Sequence, residues 1–313
     1  MSKEDILQTN AYMPRHQAQL EEAFNVLKLW QAKDRERFLK DAAHVRGAAT
    51  GAGFKFDRAM IDALPKLEVV SSMSVGVDSI DVAYAKTRRV VVTNTPDVLT
   101  EEVADTGLLL LLALAKQGGY AERYLRAGRW PKEGGAPLAM SLRDKTLGVL
   151  GLGRIGEAVA KRALVLGMTV IYHNRRPKGS VPYTYYADLI EMAKACDVLM
   201  IVTPGGKDTF HLVDEKVLRA LGPDGYVVNI ARGSVIDETA LVRALEEKWI
   251  AGAGLDVYEH EPQVPAALIA MERNVVLLPH IGSATVETRN AMGDLAVANL
   301  RSFLAGKGPL TPV

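Results

Sequence analysis

At 313 residues, with 48% hydrophobic and 24% charged side chains, the chain has the make-up of a soluble globular protein and the length of two domains. A net charge of +1 offers no basic surface for nucleic acid or a membrane, and the longest greasy run, Leu108–Leu114, is far too short to span a bilayer. The single cysteine, Cys196, allows no intrachain disulfide, and MSKEDILQTN carries no cationic-apolar signal pattern, so a reducing, cytoplasmic setting is expected.

The first hundred residues alternate short apolar runs with helical patterns. Val45–Thr50, Leu67–Ser71 and Val90–Thr93 read as strands, and Gln17–Leu29 and Asp57–Leu64 as helices. Together they predict a small parallel α/β unit, closed by Thr95-Pro96, where proline restricts the residue before it and lacks a donor. A long helix is predicted next, from about Glu101 to Arg126, with Thr100 as N-cap and acids in its first turn. Its Leu-rich middle reads as packing.

The stretch from Lys145 to Arg176 carries the strongest local signal. Thr146–Leu150 reads as a buried strand, Gly151, Gly153 and Gly156 follow as G-x-G-x-x-G, and Ile155, Val159, Ala163 and Leu166 recur at helical spacing. Met168–Tyr172 reads as the next strand. In such a β-α-β unit the first glycine makes the tight turn, the second admits a pyrophosphate to the backbone and the third lets the helix pack closely. Leu152, Arg154 and Ile155 share this loop. An NAD site usually places an acid about 20 residues on, for the ribose 2′-OH. Here Asn174 stands 18 residues after Gly156, followed by Arg175 and Arg176. With no carboxylate to repel a 2′-phosphate and two guanidiniums to bind one, NADPH is favoured, and NAD remains possible. The plainer reading of the arginines is a solvated basic loop.

Four more strands are predicted: Asp197–Thr203, Gly225–Ala231, Ala251–Val257 and Asn274–Pro279, with helices at Asp214–Leu221 and Asp237–Lys248. The expected fold is α/β with two Rossmann-like domains: a doubly wound parallel-sheet cofactor domain, 101–283, and a smaller flavodoxin-like substrate domain, 1–100 plus 284–313. A final helix, about Ala284 to Leu304, would return the chain to the first domain. Cys196 precedes an apolar run and reads as a small core residue.

Ligands of such sheets sit at the carboxyl ends of the strands. Arg232 follows one strand, Glu261 lies in the loop after another and His280 follows a third. A guanidinium can grip a carboxylate with two parallel bonds, an imidazole can deliver a proton near neutral pH, and a carboxylate beside it favours the imidazolium. Singly, each has a plainer reading: a surface arginine, a loop charge, a satisfied core histidine. Three at neighbouring strand ends of a dinucleotide fold favour reduction of a 2-keto acid.

Residues 151–156, Asn229-Ile-Ala-Arg-Gly233, Gly254-Leu-Asp-Val-Tyr-Glu-His-Glu-Pro262 and Pro279-His-Ile-Gly-Ser283 resemble the signatures of the D-2-hydroxyacid dehydrogenases, over nearly the whole chain. Ser74-Val-Gly-Val-Asp78 and Thr93-Asn-Thr-Pro-Asp-Val-Leu-Thr100 resemble the glyoxylate/hydroxypyruvate reductase group most. The resemblance implies that Arg232 binds the substrate carboxylate and polarises the keto oxygen, that His280 protonates that oxygen, and that Glu261 holds His280. It assigns the backbone amides of Val75 and Gly76 to the carboxylate pocket. Arg154 and Ile155 would meet the pyrophosphate, Thr203, Pro204, Thr209 and Ala231 would line the cofactor groove, and Asp256 would face the nicotinamide amide. One departure stands out: after Pro204 the chain reads Gly205-Gly-Lys-Asp208 where the family shows a Leu-Thr-Pro-type run. The implied protein is a homodimer that uses no metal, with a 2-keto acid as its partner molecule. Reduction of longer sugar-derived 2-keto acids is the alternative activity. A dinucleotide-sensing binding protein on the same fold is the rival from another class.

Overall fold

A computed structural model of the chain describes residues 3–51 and 53–313. It divides into two compact units, the described residues of Met1–Leu99 with Ala284–Val313, and Thr100–Ser283.

The first unit is built on five parallel strands: β1 (Asp5–Gln8), β2 (Asn25–Lys28), β3 (Gly47–Gly51), β4 (Val69–Met73) and β5 (Val91–Thr93), in the order β2-β1-β3-β4-β5. That is the flavodoxin-like order. Both central strands, β3 and β4, are buried throughout, as parallel strands covered on two faces require. The helix Val286–Leu304, capped by Thr285, packs over β3 and β4, and a side chain on Gly47 would sit 2.9 Å from the Leu304 methyl. Gln17–Leu29 is not one helix. The helix runs Pro14–Ala23, opened by its proline, and Phe24 turns extended at φ −134°. The β-branched Val26, with Leu27 beside it, then pairs with Ile6 and Leu7, so cross-strand pairing overrides the helical periodicity.

In the second unit β6 (Thr146–Leu150), β7 (Thr169–His173), β8 (Thr184–Tyr185), β9 (Val198–Ile201), β10 (Tyr226–Asn229), β11 (Gly252–Leu255) and β12 (Val275–Leu277) form one parallel sheet. Its order is β12-β11-β10-β9-β6-β7-β8. The order reverses between β6 and β9, the switch point at which such sheets bind ligands. The long helix predicted to Arg126 breaks at Gln117, whose φ of +50° is left-handed, giving Thr100–Lys116 and Gly118–Arg126. Thr100 opens the first of these helices, with Glu101 and Glu102 in its first turn. Cys196 is buried with its sulfur against the bare Cα of Gly148, and burial pushes its thiol up to about 12. No helix among the described residues is long and apolar enough to cross a membrane.

Candidate active site

The glycine loop follows β6. Gly151 has φ +100°, a conformation only glycine adopts freely, and a Cβ there would lie 2.6 Å from the Thr203 amide nitrogen. The loop therefore passes directly over the end of β9. A Cβ on Gly156 would strike the Gly151 carbonyl oxygen, so helix and loop pack backbone to backbone. At Gly153 a Cβ would meet nothing within 4 Å. That residue heads the helix Arg154–Val165, whose first amides receive no side-chain cap. An open, uncapped N-terminus of a twelve-residue helix suits a pyrophosphate, whose oxygens accept the orphan N–H groups. Arg154 is exposed there, Ile155 half-buried and Leu152 buried.

Asn174 is turned inward. Its Oδ1 accepts the Leu152 N–H at 2.7 Å, and its carbonyl accepts the Tyr185 hydroxyl at 3.2 Å. Arg175 and Arg176 are exposed beyond it, and Lys178 pairs with Glu157 on the first turn of the helix. Across the sheet, Thr209 closes the turn after Pro204 by donating its hydroxyl to the Pro204 carbonyl at 2.7 Å.

The ends of β10, β11 and β12 carry the candidate chemistry. Asn229 ends β10 and is almost fully buried. Its Oδ1 accepts the Ala231 N–H at 3.0 Å and its Nδ2 donates to the Arg232 carbonyl at 2.9 Å, which fixes the backbone under Arg232. The next residue, Gly233, has no room for a side chain, because a Cβ would overlap the Tyr258 and Glu259 backbone. Glu261 is bound at both oxygens: Oε1 accepts the Tyr258 N–H at 3.0 Å, and Oε2 pairs with Nδ1 of His280 at 2.7 Å. Burial alone would raise the Glu261 carboxyl. The His280 bond, the Tyr258 amide and the charges of His280 and Arg232 outweigh it and hold the carboxyl below its ordinary value.

His280 itself sits at φ +54°. The Tyr258 hydroxyl donates to the Leu278 carbonyl at 3.0 Å on one side of it. On the other, Asp256, 1% exposed, takes the Ile281 N–H at 2.7 Å and the Gly282 N–H at 2.8 Å. Both Asp256 oxygens are thus committed to the backbone that carries His280. Burial raises the Asp256 carboxyl, against those two bonds. Asn229 and Tyr258 lie inside the quoted motifs, and both act through bonds to backbone atoms that spacing alone does not reveal. In the first unit, Val75 and Gly76 follow β4, both half-buried, and the Val75 carbonyl accepts from Asn94 Nδ2 at 2.8 Å.

Residues 108–282 match the family model of the D-isomer specific 2-hydroxyacid dehydrogenase NAD binding domain. The chain is 45% identical over 296 residues to glyoxylate/hydroxypyruvate reductase A of Arabidopsis thaliana, covering 94% of each. To 2-ketogluconate reductase of Gluconobacter oxydans it is 41% identical over 312 residues, covering 100% of this chain and 99% of the other. The crystal structure of an NADPH-dependent glyoxylate/hydroxypyruvate reductase from Sinorhizobium meliloti, in complex with NADP and malonate, matches at a TM-score of 0.93 and 45% identity, covering 100% of this chain and 97% of that one.

Proposed function

The chain belongs to the D-2-hydroxyacid dehydrogenase family, and on that premise we propose that it is an NADPH-preferring reductase of small 2-keto acids, taking glyoxylate to glycolate and hydroxypyruvate to D-glycerate. The observation that carries this reading is the Glu261–His280 pair, with Glu261 also within the field of Arg232. His280 uses Nδ1 for the carboxylate and offers Nε2 to the keto oxygen as general acid. Arg232 binds the substrate carboxylate and offsets the charge that develops on the oxygen. We assign the backbone amides of Val75 and Gly76 to the substrate carboxylate as well. NADPH, when bound, supplies the hydride to C2. The open helix start at Gly153 supports its pyrophosphate site with Gly151, Leu152, Arg154, Ile155 and Gly156. Arg175 and Arg176 hold the 2′-phosphate, Thr203, Pro204, Thr209 and Ala231 border the groove, and Asp256, expected to face the nicotinamide amide, is instead turned inward onto the Ile281 and Gly282 N–H groups.

The likeness to 2-ketogluconate reductase favours one second reading, a longer sugar-derived 2-keto acid as substrate. Exposed apolar side chains at Leu125, Trp130 and Leu138 support a homodimer. The buried thiol of Cys196 suits a cytoplasmic protein. Turnover of glyoxylate, hydroxypyruvate and 2-ketogluconate with either nucleotide tests the assignment. NADPH-dependent reduction of the first two is expected. Reduction of 2-ketogluconate alone selects the second reading, and no turnover of any keto acid overturns both.

A further inference from the structure

We propose that Asn94, Thr311 and Asn299 form a positioning relay that holds the Val75 carbonyl and so aims the Gly76 amide beside the Val75 amide, so that residues 310–313 set the affinity for the 2-keto acid. The inference rests on the assignment of those two amides to the substrate carboxylate.

The relay starts in the middle of the helix Val286–Leu304. Asparagine is an unfavourable residue for a helix interior, because its amide competes for backbone bonds. Asn299 is nevertheless 0% exposed, with every polar valence in use. Its Nδ2 donates to the Leu295 carbonyl at 3.0 Å and to the Thr311 hydroxyl at 2.9 Å. Its Oδ1 accepts the N–H groups of Leu310 at 3.0 Å and Thr311 at 3.1 Å. Three of the four bonds go to residues 310 and 311, so Asn299 is a socket for that segment. Because the Thr311 hydroxyl accepts from Asn299, its one proton is directed elsewhere, to the Asn94 carbonyl at 2.6 Å. The Asn94 N–H returns to the Thr311 carbonyl at 3.2 Å. Beside this, Pro312 bridges Thr93, and the Val313 N–H donates to the Val92 carbonyl at 2.9 Å. The segment therefore lies along β5 and locks Asn94 at its end.

Asn94 acts on the substrate loop through the planarity of the peptide. In a trans peptide the C=O and the following N–H point in opposite directions. Asn94 Nδ2 holds the Val75 carbonyl at 2.8 Å, which aims the Gly76 N–H the other way. The Thr95 N–H holds the Ser74 carbonyl at 3.0 Å, which does the same for the Val75 N–H. Both proposed donors are thus oriented from behind by consecutive residues, 94 and 95, and the first of these is set by Thr311.

Thr311→Val removes the hydroxyl at constant shape, and Asn94→Ala removes the grip on Val75 directly. One net hydrogen bond corresponds to about a three- to tenfold change in an equilibrium. The expected result is a rise of that size in KM for glyoxylate with each variant, with kcat and the Kd for NADPH unchanged and with wild-type KM restored in Thr311→Ser. An unchanged KM in both variants overturns the relay, as does an equal loss in Thr311→Ser. Gly76→Pro, assayed as a folded protein that still binds NADPH, removes one amide donor outright. If Gly76→Pro raises KM and the other two variants do not, the relay fails and the carboxylate assignment stands. An unchanged KM in Gly76→Pro removes that assignment and the relay with it.

Discussion

His280 holds a left-handed backbone conformation that costs a non-glycine residue on the order of 1–3 kcal/mol. Such a conformation persists only where its surroundings over-determine it. Here Tyr258 grips Leu278, Asp256 grips Ile281 and Gly282, and Glu261 grips the ring, so residues on both sides of His280 are held. The arrangement aims one imidazole nitrogen and leaves it little freedom. His280→Gln should lower turnover of glyoxylate by about 10²–10⁴-fold, the usual contribution of a general acid, with NADPH binding retained. Near-wild-type turnover would end that role. Glu261 yields a pH prediction. Its folded carboxyl titrates below the ordinary glutamate value of about 4.3, so its contribution to stability is present above that value and is lost as pH falls through the lower folded one. The stability gap between wild type and Glu261→Gln, measured by denaturant unfolding, should be open at neutral pH and shrink below about pH 4.3. A gap that widens in acid contradicts the pairing. Arg232, Glu261 and His280 were legible as candidates because a parallel sheet gathers its chemistry at the carboxyl ends of its strands. The supports were not. Asn229, Tyr258 and the inward carboxylate of Asp256 act through bonds to backbone atoms, and such bonds leave no periodic trace in sequence.

At the scale of elements, the β6–helix–β7 unit joins cofactor grip and cofactor choice through one side chain. Asn174, at the end of β7, accepts the Leu152 N–H and so holds the glycine loop from below. An aspartate there could accept the same N–H, so Asn174→Asp should preserve the loop while adding a charge that repels a 2′-phosphate. With Arg175→Ala, a charge-assisted bond of about 1.5–3 kcal/mol is also lost. That corresponds to roughly one to two decades in KM for NADPH. The double variant should lose the NADPH preference, with the loss in KM and not in kcat. Equal use of NADH and NADPH by the wild type would show Arg175 and Arg176 to be a solvated loop. This unit was readable almost residue by residue, since its strand, glycines and helix each carry an independent signal. The first unit was less so. β1 and β2 span only four residues each, too short for a period to show, and Val26-Leu27 fell in register with the helix before them. The break at Gln117 was hidden because Ala121 and Leu125 read as a continuation of the Leu-rich face before them, whereas the second helix buries Tyr124 and leaves Leu125 exposed.

At the scale of the whole molecule, the described residues of the second unit include three large apolar side chains left exposed within a short stretch of sequence. Leu125 is 56% exposed, Trp130 62% and Leu138 95%. Single exposed apolar residues are ordinary, but three large ones within residues 125–138, one of them almost bare, mark a surface that gains from being covered. A second copy of the chain is the proposed cover, and a stable dimer would need about 800 Å² from each partner. Replacing Trp130 and Leu138 together, as Trp130→Ser with Leu138→Asp, puts a charge and a lost anchor on that stretch without touching a strand end or the glycine loop. Light scattering after size exclusion should give the wild type about twice its 33.9 kDa chain mass and the double variant close to one chain mass. The wild-type Tm should also rise with protein concentration, since association stabilises the folded state by mass action, and the variant should lose that dependence. A wild type that runs at one chain mass with a concentration-independent Tm would refute the dimer. A double variant that stays dimeric would place the interface elsewhere on the chain.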